Sequence, residues 1–125
     1  MTDLSKKQDA TDLLQIDKDA HGILRVTLND PARRNALSEA MLDRLGAILA
    51  DAAIDASVRV IVLAANGPAF CAGHDLKEMS AGRATADQGE AYFTDVLKRC
   101  SAVMQAILQN PKPVIAEVAA TATAA

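Results

Sequence analysis

Aromatic side chains are nearly absent. The chain has no tryptophan, one tyrosine and two phenylalanines, so its core has to be built from Ala, Val, Ile, Leu and Met. Proteins that hold single-stranded nucleic acid stack bases on aromatic faces, and that function is not expected. Excess basic charge is missing too. Thirteen Lys and Arg are set against sixteen Asp and Glu, for a net charge of −3. No basic cluster is present, which argues against a phosphate-backbone binder, so no nucleic-acid partner is expected. The two cysteines, Cys71 and Cys100, and the two histidines, His21 and His74, show no metal-ligand spacing. The thiols read as buried groups of a reducing compartment, and no metal site is expected. No apolar run approaches the roughly 20 residues of a membrane span, so no membrane partner is expected. Residues 1–12 are polar and mixed in sign. They lack the apolar segment or Arg-rich amphipathic pattern of a targeting peptide. They are expected to form a flexible lead-in, with the protein in the cytoplasm.

Half of the 125 residues are hydrophobic and 23% are charged, which excludes a disordered chain. The length suits one domain, over residues 13–125. Leu13 to Asp17 is a short strand candidate. Leu24, Val26 and Leu28 then alternate with polar residues, which predicts a half-buried strand over Ile23–Leu28 pairing with the first as a hairpin about His21-Gly22. Asn29-Asp30-Pro31 breaks it. Ser38 is placed to cap a helix whose apolar stripe is Met41, Leu42, Leu45, Ile48, Leu49 and Ala52. Val58 to Leu63 reads as a buried parallel strand. A second helical stripe runs from Phe93 to Leu108 and stops at Asn110-Pro111, because the residue before a proline avoids the α region. Val114 to Val118 follows as a strand. Strands separated by helices predict an α/β class with parallel pairing.

The segment Ala69 to Met79 carries the most chemical information. It reads as a strand, a turn assisted by Gly73 and a helix beginning at Asp75, with Asp75 and Glu78 at capping-box spacing. The first turn of a helix leaves N–H groups without partners, and the macrodipole adds partial positive charge there. Such a turn can polarise a carbonyl or hold an oxyanion. A small-residue turn before a capped helix also serves simply as a tight connection, and the segment alone does not separate the two readings.

Four segments together carry a resemblance. Asn29-Asp30-Pro31-Ala32-Arg33-Arg34-Asn35-Ala36-Leu37 is similar to a loop of the type N-x-P-x-x-x-N-A-L. Arg59 to Leu63 is similar to a V-x-V-I-V-L strand, Ala69 to Met79 to an A-F-C-A-G-x-D-L-K-E-M loop and helix, and Pro111 to Ala116 to a K-P-V-I-A strand. In this order and spacing they resemble the enoyl-CoA hydratase/isomerase (crotonase) superfamily. His74 in the A-G-H-D loop and the tail Ala122-Thr123-Ala124-Ala125 are most similar to the enoyl-CoA hydratase domain-containing protein 3-like group.

The resemblance implies a ClpP/crotonase-like ββα spiral, carrying only the N-terminal part of that domain through the first oxyanion loop and the following helix and strand. It implies an acyl-CoA thioester as substrate, with no separate cofactor, and stabilisation of a thioester enolate in an oxyanion hole. The backbone N–H of His74 matches the first donor, and Ala125 aligns with the second. Ala72, Asp75, Leu76 and Lys77 match the loop that lines coenzyme A. Lys77, Arg33 and Arg34 fit phosphate contacts or plain solvated positions equally well. Ala119 and Ala120 stand where the family usually has Asn-Gly, which bears on the shape of that turn. The family's acid/base glutamates have no match: Asp75 and Glu78 read as helix caps, and Glu117 falls in a strand. The alternative is a non-catalytic truncated or split-gene fragment. The chain alone is expected to be inactive, and a full-length form to be a homotrimer or hexamer. A Clp-type peptidase fits less well, since Ser38, Ser57, Ser80 and Ser101 lack a nucleophile-elbow context.

Overall fold

The computed structural model describes residues 12–123. The elements in chain order are β1 (Leu14–Lys18), β2 (Ile23–Leu28), a 3-10 turn (Pro31–Arg33), α1 (Glu39–Ile54), β3 (Val60–Ala65), β4 (Ala69–Cys71), α2 (Leu76–Arg83), α3 (Glu90–Gln109), β5 (Val114–Ala116) and β6 (Thr121–Ala122). The lead-in read over residues 1–12 lies outside the described residues except for Asp12. Asp12 is tied down: its carboxylate meets Arg44 at 2.8 Å and its carbonyl accepts from the Asn29 side chain.

β1 and β2 form an antiparallel hairpin, and β2–β3 and β3–β5 are both parallel, giving the sheet order β1-β2-β3-β5. The register sets Leu24 beside Ile61 and Val26 beside Leu63, so the apolar members of β2 share one face, as strand alternation requires. That face packs on α1. Met41, Leu42, Leu45, Ile48, Leu49 and Ala52 are its buried residues, the stripe expected from helical spacing. The Ser38 hydroxyl accepts the Met41 N–H at 3.1 Å and caps the helix. α3 crosses α1 and seals the core with Val96, Cys100 and Val103. At that crossing Gly46 lies against Val103, where an added Cβ would make an ordinary contact at 3.7 Å.

Three expectations need correction. The strand read over Val58–Leu63 runs over Val60–Ala65 instead. Val58 belongs to the turn that follows α1: its N–H donates to the Asp55 carbonyl, and Lys112 Nζ donates to the Asp55 and Val58 carbonyls, both at 2.6 Å. Those backbone groups are committed before the sheet begins. The strand read over Val114–Val118 ends at Ala116. Finally, the stretch read as a turn after it contains β6, which pairs in parallel with β4 as a separate two-stranded sheet. No helix among the described residues is long and apolar enough to cross a membrane.

Candidate oxyanion loop and cleft

Asn35 organises the site from below. It is fully buried at 0% exposure and sits, with Arg34, in the left-handed backbone region at φ 55° and 53°, which asparagine tolerates better than most residues. Its Oδ1 accepts the Asp30 N–H at 2.7 Å. Its Nδ2 donates to the carbonyls of Asn66 at 2.8 Å and Ala69 at 2.9 Å. One side chain thus ties the loop after β2 to the start of β4.

The two loops are then laced by their backbones. Ala72 N–H donates to the Arg34 carbonyl at 3.0 Å, and Leu37 N–H donates to the Gly73 carbonyl at 2.7 Å. Leu37 and His74 form an isolated parallel bridge. Gly73 has φ 83°, a conformation that glycine adopts without steric cost. The chain has no cis peptide among its described bonds, and in a trans peptide the C=O and N–H point in opposite directions. Because Leu37 holds the Gly73 carbonyl, the N–H of His74 in the same peptide points away from Leu37. That N–H has no acceptor among the described residues.

α2 starts immediately afterwards. Asp75 Oδ1 accepts the N–H groups of Lys77 at 3.0 Å and Glu78 at 3.2 Å, and Arg33 reaches its other oxygen at 3.4 Å. The Asp75 cap is as expected, but Glu78 does not complete a capping box on its own helix. Its Oε1 accepts the Glu39 N–H of α1 at 2.9 Å instead. A local spacing rule sees only i to i+3 partners, so it could not find a contact 39 residues away.

Ala72, His74, Asp75, Leu76 and Lys77 line one open cleft of about 260 Å³, with Ala32, Arg33 and Ala36 as its opposite wall. Five of the six residues singled out from the sequence are brought together. The sixth, Ala125, lies outside the described residues. β6 leads toward it, with Thr123 N–H donating to the Cys71 carbonyl at 2.9 Å. The His74 ring is half-buried, and its Nδ1 is enclosed without a hydrogen-bond partner among the described residues. Cys71 Sγ accepts the Gly73 N–H at 3.4 Å. Burial, then the neighbouring Cys71, pushes the Cys100 thiol above its ordinary value, so it is not poised as a thiolate. Glu117, expected within a strand, lies just past the end of β5, pairs with Arg25 of β2 at 2.7 Å and does not line the cleft. Asn35 and the Leu37 N–H escaped the sequence reading as structural parts of the site. The one available signal was the place of Asn35 in the Asn35-Ala36-Leu37 motif. Among the described residues no group of three or more His, Cys, Asp or Glu is placed to hold a metal ion.

A parallel-sheet ββα framework that presents an unpaired N–H in a glycine turn at a helix start defines a class of proteins that bind carbonyl or anionic groups through the main chain. The family model for enoyl-CoA hydratase/isomerase matches residues 18–125, and the chain belongs to that family. The mitochondrial enoyl-CoA hydratase domain-containing protein 3 of Rattus norvegicus is 44% identical over 104 residues, covering 83% of this chain and 33% of the relative. The Homo sapiens protein of the same name is 43% identical over the same coverage. Among solved structures, an enoyl-CoA hydratase of Mycobacterium smegmatis superposes with a TM-score of 0.78 at 51% identity, covering 86% of this chain and 40% of that one. Human enoyl coenzyme A hydratase domain-containing protein 3 gives 0.76 at 38% identity, covering 87% and 41%. The crotonase-type fold is therefore shared, and the chain spans about a third of the length of the curated relatives it matches.

Proposed function

We propose that the protein binds an acyl-CoA thioester with its carbonyl oxygen against the His74 N–H, so that negative charge developing on that oxygen as an enolate is stabilised. The carrying observation is the orientation of the Gly73–His74 peptide: its carbonyl is held by Leu37 and its N–H is left without an acceptor among the described residues. The α2 start adds its partial positive charge to the same point. A preorganised main-chain donor of this kind stabilises an oxyanion without having to reorganise during reaction. Arg33 and Lys77 give the cleft two cations, suited to the phosphates of coenzyme A. Ala125 is the proposed second donor.

Among the described residues the cleft offers no uncommitted carboxylate for proton transfer. Asp75 is the one carboxylate lining it, and its oxygens are taken by the Lys77 and Glu78 N–H groups and by Arg33. The acid and base of any hydration or isomerisation are therefore assigned elsewhere in the whole protein. By the same reading residues 1–125 alone bind but do not turn over. A homotrimer or hexamer is the assembly this reading carries for the full-length protein, which sedimentation velocity measures.

The test compares His74→Ala and His74→Pro. Calorimetric titration with crotonyl-CoA and with free CoA reports the preference for the thioester. The alanine variant keeps the main-chain donor and is expected to keep that preference. The proline variant has no N–H and is expected to lose it. A proline variant that still prefers crotonyl-CoA as the wild type does would refute the assignment.

A further inference from the structure

Glu78 leaves its own helix to serve another. It accepts the first amide of α1, Glu39 N–H, at 2.9 Å. Two residues earlier in that chain segment, Leu37 N–H holds the Gly73 carbonyl at 2.7 Å. The amides on either side of Ser38 thus grip the chain at Gly73 and at Glu78, and the residues between, His74 to Lys77, are those that line the cleft. Besides these two bonds the stretch is secured by the buried Asp75, which caps α2 and meets Arg33, and apolar burial adds little. Gly82 is the one buried residue of α2, and Leu76 is 74% exposed. The neighbouring acid does not compete for the position: Arg99 holds the Glu39 carboxylate at 2.8 Å. The Glu78 carboxylate also lies at the first turn of both helices, where the macrodipoles favour negative charge.

We propose that Glu78 is a positioning residue for the His74 amide: the bond from Glu78 to the α1 start fixes α2 so that the His74 N–H stays aimed at a thioester carbonyl. This rests on the function proposed above. Leu37 fixes the Gly73–His74 peptide from one side. Glu78 fixes from the other the helix that follows it, beyond the Asp75 cap and its Arg33 ion pair. Without Glu78, α2 can shift and carry the His74 end of the loop with it. What the bond needs is an acceptor oxygen at the end of a two-methylene side chain. Glutamine supplies that oxygen without the charge, aspartate keeps the charge but falls one methylene short, and alanine supplies neither.

The probe is cinnamoyl-CoA, whose conjugated thioester absorbs further to the red when its carbonyl is polarised. The full-length protein is titrated as wild type, Glu78→Gln, Glu78→Asp and Glu78→Ala, with free CoA as a parallel ligand. Wild type and Glu78→Gln are expected to show the red shift. Glu78→Asp and Glu78→Ala are expected to lose it while binding free CoA unchanged, a split that general loss of structure would not give. If Glu78→Ala does not fold, the contrast between Asp and Gln carries the test. Retention of the full shift in Glu78→Asp, or its loss in Glu78→Gln, overturns the positioning role and leaves the oxyanion reading standing. Absence of a shift in the wild type overturns both.

Discussion

The helices α1 and α2 begin side by side, each capped by a side-chain oxygen, yet they are held in opposite ways. α1 buries six apolar residues against the sheet and α3, while α2 buries one glycine. Burial of apolar area, at about 25 cal/mol per Å², is enough to place α1 whatever happens to any one polar group. α2 depends on a few hydrogen bonds, each contributing about 1 kcal/mol: the Asp75 cap, the Glu78 bond to Glu39, and the lacing of residues 72 and 73 to residues 34 and 37. The part of the fold that gives stability and the part that presents the cleft are therefore separable by mutation.

The largest expected effect falls on α1. Leu49 is 1% exposed, and Leu49→Ala is expected to cost about 2–5 kcal/mol. Urea unfolding measures the loss, and crotonyl-CoA binding by the folded fraction is expected to be retained. Asn35→Ala breaks the separation, because it frees three backbone groups, that of Ala69 buried, where the two regions meet. It is expected to cost about 2–4 kcal/mol and to weaken crotonyl-CoA binding in the molecules that remain folded. Normal thioester binding in folded Asn35→Ala would mean that the loop does not need its buried anchor.

A smaller effect comes from acid. The Ser57 hydroxyl and N–H hold the Asp55 carboxyl below its ordinary value, the Ile23 N–H does most of the same for Asp19, and the Ala91 N–H for Asp87. A depressed folded pKa means that the unfolded chain takes up the proton first. The stabilisation is then fully present above the unfolded carboxylate pKa of about 3.9 and drains away as pH falls through the folded values. Urea midpoints are expected to drop on acidification from about pH 5 to pH 3, and Asp55→Asn to flatten that fall. An unchanged slope in the variant would remove Asp55 from the account. Smallest is Gly46→Ala, where the added methyl meets Val103 at an ordinary distance. Relief of the glycine penalty is expected to stabilise α1 by about 0.5–1 kcal/mol, read as a rise in thermal midpoint.

The same contrast explains what could be read from the sequence. The stripe of α1 and its Ser38 cap were legible residue by residue, because a 3.6-residue period and a local cap are both written within one short segment. The β1–β2 hairpin and the parallel β3–β5 pairing followed from alternation and element order. The start of β3 was misplaced by two residues, since the commitment of Val58 to the turn after α1 depends on Lys112, more than fifty residues away. β6 was missed because two small residues carry no strand pattern of their own. At the site, the cleft residues were found through motif resemblance, whereas the parts that hold them, Asn35, Leu37 and the reach of Glu78 to Glu39, are long-range bonds that no local rule contains.

The most direct test of the central claim watches the His74 amide itself. In a ¹⁵N-labelled sample with the His74 resonance assigned, crotonyl-CoA is expected to move that amide proton strongly downfield as it donates to the thioester oxygen. Free CoA, expected in the same cleft without a thioester carbonyl at that point, is expected to leave it nearly in place. A His74 amide that does not respond to crotonyl-CoA, or that responds equally to both ligands, would contradict the assignment of this N–H as the oxyanion donor.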